Sequence, residues 1–284
     1  MTELRLIQVD AFADRPFTGN PAAVMPLDAW LSDEILQAIA LENNLSETAF
    51  TIPDSSGEAD YELRWFTPTS EVVLCGHATL ASGHVLIGER ETVRFRTRKS
   101  GILAVSRSGE GYALDLPATP MRPATEADMR DVIARDGAGI VDIIIHDGAS
   151  DAAPQLYLDR SGADQKAILL MGDEAAVRRC RPDMGRLREI DRMAIVTARA
   201  DPGADYEIVS RVFVPAWGVD EDPVTGSAHS ALVPFWNDRL QCGDAIRFFQ
   251  ASRRGGHLTG RLEGDRVILE GRCVTVIEGT MRIP

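Results

Sequence analysis

Apolar and polar positions alternate through most of the chain, and only a few windows change to helix spacing. The first half predicts strands at "LRLIQVDAF", "PAAVMP", "ETAFTI" and "YELRWFTP". Further strands follow at "TVRFRTRKSGILAVSRS" and "GYALDLPA", divided by Gly turns. "LSDEILQAIALEN" places Ile35, Leu36, Ile39 and Ala40 at helix spacing. A second helix is predicted from Gly76 through "HATLASGHVLIG". "LPATPMRPAT" (Leu116–Thr125) holds three prolines and no helix period, and reads as a linker.

The second half repeats the theme. "TEADMRDVIARD" predicts a helix; "VDIIIHD", "QLYLDR" and "KAILLM" predict strands. A short helix at "DEAAVRRC", strands at "RMAIVTAR" and "YEIVSRVFVP", and a helix from Gly226 through "SAHSALVPFWNDR" follow. The rest reads as strands and turns. The class is α+β, each half a strand-rich sheet wrapped around a long apolar helix.

The two helix starts are written alike. Arg64-Trp65-Phe66-Thr67-Pro68 matches Arg211-Val212-Phe213-Val214-Pro215 at an offset of 147. Glu71, Gly76, Ala78 and Ala81 then match Glu221, Gly226, Ala228 and Ala231 at an offset of 150, which leaves three extra residues in the second loop. Each copy is a strand, a turn and a helix start. Glycine lets the backbone bend and a ligand approach. The first N–H groups of a helix are unpaired and carry partial positive charge. Two such termini facing one cleft would cradle a carboxylate or an enolate-like anion. The competing reading is a pair of tightly packed core helices.

Composition narrows the classes. The chain has 284 residues, 44 % of them hydrophobic, enough for one large or two smaller cores. No run reaches the roughly 18–20 apolar residues of a membrane span, and the N-terminus does not read as a signal peptide. A cytoplasmic location and no membrane partner are expected. The net charge of −13 disfavours nucleic acid. Cys75, Cys180, Cys242 and Cys273 form no C-x-x-C pair, which argues against a zinc site or a disulfide scaffold, so no metal is expected. The basic run Arg94–Ser100 reads as the solvent face of a strand, and "QASRRGGHLTG", with its Arg253–Gly256 turn, as a hairpin.

Four segments, "VDAFADRPFTGNPAAV", "NLSETAF", "RWFTPTSEVVLCGHATLAS" and "EDPVTGSAHSAL", carry a resemblance to the PhzF-like (phenazine biosynthesis) family, which shares the diaminopimelate epimerase fold. They spread across both halves, so the resemblance covers essentially the whole chain. It implies two similar domains, each a mixed β-barrel-like sheet around a central helix, with the active site in the cleft between. With the linker, the expected boundaries are 1–117 plus about 273–284, and 118–272, the last strand returning to the first domain. It also implies a homodimer, no cofactor, and an isomerase that moves a proton within a dihydro-hydroxyanthranilate-like or other small cyclic or amino carboxylic acid.

By the same resemblance Glu47, His77, Asp222 and Ser227 are the catalytic candidates. Glu47 would carry the proton, as a carboxylate in a strand reading Ser-Glu-Thr can. His77, Asp222 and Ser227 would orient the substrate carboxylate. A histidine at a helix start is expected to have its pKa lowered by the helix dipole. Asp222 has a second possible role as a helix cap. Asn20, Gly76, Thr225 and Gly226 are candidates for binding substrate. His84, His146, His229 and His257 read as structural. Epimerase relatives use two cysteines as opposed base and acid. Cys75 takes the first position but Thr225 takes the second, and a hydroxyl is too weak to replace a thiolate. An amino-acid racemase using Cys75 alone, or a non-catalytic binding or scaffold protein on the same fold, are the alternatives. Fold alone does not prove chemistry.

Overall fold

Strand segments that are polar on one side and apolar on the other need a partner layer, and here each sheet finds it in a helix. The computed structural model describes residues 1–145, 153–160, 165–241 and 245–283; His146 and Cys242 fall outside them. The chain divides into two compact units, residues 1–116, 256–258 and 268–284 in one, and 117–255 and 259–267 in the other.

In the first unit β1 (Thr2–Ala11) pairs antiparallel with β2 (Asn20–Pro26). The chain crosses through α1 (Asp33–Asn43) to β3 (Glu47–Pro53), which lies parallel to β2. β4 (Tyr61–Phe66) returns antiparallel, and β5 (Glu71–Val72) hairpins onto it. Next comes α2 (Gly76–Leu86), followed by β6 (Thr92–Thr97), parallel to β4, then β7 (Ile102–Ser108) and β8 (Gly111–Pro117).

The second unit repeats this order. After β9 (Met121–Pro123) and α3 (Ile140–Ile145), β10 (Gln155–Asp159) pairs antiparallel with β11 (Lys166–Leu170). The chain crosses through α4 (Glu174–Arg179) and α5 (Met184–Leu187) to β12 (Met193–Arg199), parallel to β11. β13 (Ile208–Val214) is antiparallel to β12, and β14 (Val219–Asp222) pairs back onto it. α6 (Gly226–Leu240) precedes β15 (Ile246–Gln250), which is parallel to β13. β16 (Gly256–Glu263), β17 (Arg266–Gly271) and β18 (Cys273–Ile283) complete the chain. β18 pairs with β1 along its whole length, with a bulge at Gln8/Val9.

The repeat read from sequence is therefore a repeat of topology, and it reaches individual bonds. Phe66 faces Glu71 across its hairpin as Phe213 faces Glu221. Arg64 grips Glu71 with two bonds of 2.8 Å, and Arg211 grips Glu221 at 2.7 and 3.0 Å. Both guanidinium groups lie 4.9 Å over the following Phe ring. Such bidentate pairs are geometrically demanding and tie the two arms of each hairpin together.

The first eight residues of α2 are all buried, and the helix packs on β1, β2, β3 and β7. A helix buried on every side needs small residues where strands come close. At Gly83 an added Cβ would sit 2.4 Å from Val105 Cγ1. α6 is buried in the same way; its Trp236 indole donates to Thr197 Oγ1 on β12 at 3.1 Å. α1 instead covers the sheet from outside, burying Leu36, Ile39 and Ala40 against Met25, Phe50 and Phe66. Ser32 caps it, accepting from the Ile35 amide, an arrangement worth about 1 kcal/mol.

Three sequence expectations fail here. Residues 125–136 form only a 3₁₀ turn at Asp128–Asp131 and a bridge from Ile133 to Gly139. The Asp128 carboxylate is taken by Arg122, the Thr125 amide and the Thr125 hydroxyl, and these local bonds compete with helix. "VDIIIHD" is not a strand: Ile140–Ile145 is a short helix that buries Ile140, Ile143 and Ile144 at i, i+3, i+4. The proline-rich linker contains β9, which pairs with β10.

Candidate active site

The turn before β2 sets the first group in place. Gly19 has φ +64°, and a Cβ there would stand 2.2 Å from the Ala11 carbonyl oxygen, so only glycine fits. Asn20 follows as the first residue of β2, Glu47 is the first of β3, and the parallel register sets Ala22 opposite Glu47. His77 is the second residue of α2, and Cys75 is its N-cap.

These four side chains meet. His77 Nε2 is 3.0 Å from Glu47 Oε2. His77 Nδ1 is 3.1 Å from Asn20 Nδ2, and Asn20 Oδ1 accepts from the Ser46 hydroxyl at 3.2 Å. An amide nitrogen can only donate, so with this amide orientation Nδ1 accepts in the neutral ring, whose proton then sits on Nε2; the imidazolium requires the amide turned over, with Oδ1 accepting from Nδ1. Cys75 Sγ lies 3.5 Å from Nδ1 and 4.0 Å from Nε2. Asn20 has no exposed surface, so its amide acts through the imidazole. The Glu47 side chain keeps 18 % exposure and is the one polar end of the set that solvent reaches appreciably.

The electrostatics correct the expectation of a lowered histidine pKa. Burial does disfavour the His77 imidazolium, but an ionised Cys75 and the Glu47 carboxylate both favour it, and the pKa is raised well above the ordinary value. The Cys75 thiol is itself pushed up to about 11, by burial first and then by the Glu47 charge. At neutral pH Cys75 is therefore a neutral thiol, so its charge does not act on His77 there, and of the two favourable neighbours only the Glu47 carboxylate does.

A second constellation surrounds the start of α6. Asp222 ends β14, and its Oδ2 accepts a short bond from the Thr225 hydroxyl. Gln250 on β15 accepts from the Thr225 amide at 2.9 Å and donates to the Asp222 carbonyl at 2.8 Å and Thr225 Oγ1 at 3.2 Å. The cap position is thus Thr225, held by Asp222 and Gln250. Gly226 is buried, and Ser227 is half-buried with its hydroxyl making no hydrogen bond among the described residues. Sequence reading passed over Gln250. Its signal was a polar residue on the inward face of a strand whose other inward residues are Ile246 and Phe248.

His229 and His84 are structural in geometry. His229 Nδ1 donates to the Thr225 carbonyl at 2.8 Å, as its repeat-mate Thr79 donates to the Cys75 carbonyl at 2.6 Å. His84 bridges Tyr112 and Thr275. Immediately before the Arg253–Gly256 turn, Ser252 donates to the Pro223 carbonyl at 2.8 Å.

A duplicated sheet-around-helix fold of the epimerase-like kind places the protein among the isomerases. The chain belongs to the PhzF-like (phenazine biosynthesis) family: the family model described as phenazine biosynthesis-like protein matches residues 9–279. An uncharacterized isomerase of Pseudomonas aeruginosa is 45 % identical, over 99 % of both chains. The crystal structure of a PhzF-family protein from Enterococcus faecalis is 36 % identical, with a TM-score of 0.80 over 99 % of this chain and 100 % of that one. A hydroxyproline epimerase from Agrobacterium vitis shares the fold, with a TM-score of 0.58 at 14 % identity over 98 % of this chain and 92 % of that one. Among the described residues no helix is long and apolar enough to cross a membrane.

Proposed function

We propose that this isomerase moves a proton between two positions of a small cyclic or amino carboxylic acid, with Glu47 as the proton carrier. The observation that carries the reading is the Glu47–His77 contact of 3.0 Å, with the far ring nitrogen held by buried Asn20. A carboxylate that is partly exposed can reach substrate, and an imidazole fixed behind it can stabilise its charged form and share its proton. The N-terminal amides of α2 and α6 are the groups we assign to stabilising an anionic intermediate. Asp222 and Ser227 are assigned to orienting substrate and binding its carboxylate, with the Ser227 hydroxyl as the donor.

A racemase using Cys75 has one observation in its favour, the closeness of Sγ to His77. Against it, the thiol is buried and held protonated, and the Thr225 hydroxyl at the matching position is bound to Asp222. The test is solvent exchange in D₂O, followed by NMR, on dihydro-hydroxyanthranilate, diaminopimelate and cyclic amino acids. Deuterium incorporation by wild type that is lost in Glu47→Gln supports the reading. Undiminished incorporation in that variant refutes it.

A further inference from the structure

Cysteine spacing argues against a zinc site made of cysteines, but it is blind to a site in which one cysteine meets donors from other elements. The side-chain donors of Glu47, Cys75 and His77 all lie within 4.8 Å of one another, and no other such group of three occurs among the described residues. We propose that these three side chains bind one thiophilic divalent cation of the Zn²⁺ class, and that the bound cation arrests proton transfer by Glu47.

The two edges at Nε2 lie within about 0.4 Å of those of a tetrahedral shell. Bond lengths of about 2.0–2.1 Å to nitrogen and oxygen and 2.3 Å to sulfur give ligand edges of about 3.3 Å for N–O and 3.6 Å for N–S. The observed edges are 3.0 Å from Nε2 to Oε2 and 4.0 Å from Nε2 to Sγ. A thiolate and a carboxylate balance a divalent charge. Sulfur with imidazole selects zinc-like ions over Mg²⁺ or Ca²⁺. Asn20 supplies the outer contact that metal-bound histidines use. On binding, the thiol proton leaves to solvent and the ring proton moves from Nε2 to Nδ1. The Asn20 amide then turns over, so that Oδ1 accepts from Nδ1 and Nδ2 donates to the Ser46 oxygen, using the contacts already present.

The arrest of proton transfer rests on the reading of Glu47 as carrier; the binding does not. Cd²⁺ is the probe, because its ultraviolet sulfur-to-metal band reports binding without turnover. The band is expected to saturate at one equivalent in wild type and to vanish in Cys75→Ser. It should persist when Cys180, Cys242 and Cys273 are all replaced by Ser. Glu47→Gln should keep the band and weaken binding at least ~10-fold. Circular dichroism separates lost binding from lost fold, and Glu47→Gln carries the test where Cys75→Ser does not fold. A band that survives in folded Cys75→Ser, unchanged affinity in Glu47→Gln, or no band in excess Cd²⁺ overturns the site. Full solvent exchange at saturating Zn²⁺ overturns the arrest. A protein that binds Cd²⁺ but exchanges no proton with any compound retains the site and loses the isomerase reading.

Discussion

His229 should make this protein sensitive to mild acid, and its share can be isolated. The ring is fully buried in α6, packed edge-on to Phe248 with centroids 5.1 Å apart. Its Nδ1–H donates to the Thr225 carbonyl, and its Nε2 has no partner. Burial pushes its pKa down from 6.5 to about 4, only partly offset by that carbonyl. Above pH 6.5 the group is neutral folded or unfolded and contributes no pH dependence. As the pH falls below 6.5 the unfolded chain takes up a proton that the folded chain refuses, so stability is lost until the folded ring protonates near pH 4. Linkage gives a loss of roughly 2 kcal/mol at pH 5 and roughly 3 kcal/mol at pH 4. His77 moves the other way. Its raised pKa contributes stability that is present below the unfolded pKa and lost as pH rises through the folded one, so the wild-type curve alone mixes the two. The clean comparison is His229→Thr, the residue its repeat-mate already carries, by urea unfolding at pH 7, 5 and 4. The cavity cost of that substitution does not depend on pH. The stability gap between the two proteins should therefore shift by about 3 kcal/mol in the variant's favour from pH 7 to pH 4. A gap that stays constant with pH would refute the argument.

Three further outcomes are expected. Gly83→Ala drives a methyl to 2.4 Å from Val105 Cγ1, so it should destabilise by ~1–3 kcal/mol in urea, and Val105→Ala in the same chain should recover part of the loss. Asn20→Ala removes the partner of His77 Nδ1; ¹⁵N spectra should show the ring tautomer no longer fixed, and solvent exchange should fall up to ~100-fold as the acid–base pair loses its alignment. Cys75, buried and held as a thiol up to about pH 11, should remain unalkylated in folded protein at pH 8, as read by peptide mass mapping, and become reactive on unfolding.

Much of the fold is legible because its strands alternate and its two central helices begin at the same written pattern. The match of Arg64 and Glu71 with Arg211 and Glu221 proves to be a repeated bidentate grip, and Thr79 and His229 share one bonding role in different chemistry. The misread segments share a cause. Ile143-Ile144-Ile145 is too short for its period to distinguish strand from helix. Asp128 looked like a helix residue, but its carboxylate is committed to Arg122 and Thr125. In the candidate site, Glu47 and His77 stand in recognisable contexts. Ser46 and Gln250 do not, because their roles depend on neighbours 26 and 28 residues away. The direction of the His77 shift was also out of reach. A helix start alone lowers a histidine, and only the fold shows Cys75 and Glu47 beside the ring, which together shift it the other way.

The central claim is that Glu47, not Cys75, carries the proton. It is tested most directly by measuring deuterium uptake side by side in wild type, Glu47→Gln and Cys75→Ala, on whichever compound of the panel wild type exchanges. The account predicts that uptake vanishes in Glu47→Gln and persists in Cys75→Ala. Uptake that survives in Glu47→Gln and is lost in Cys75→Ala would contradict it and make the protein a thiol-dependent racemase.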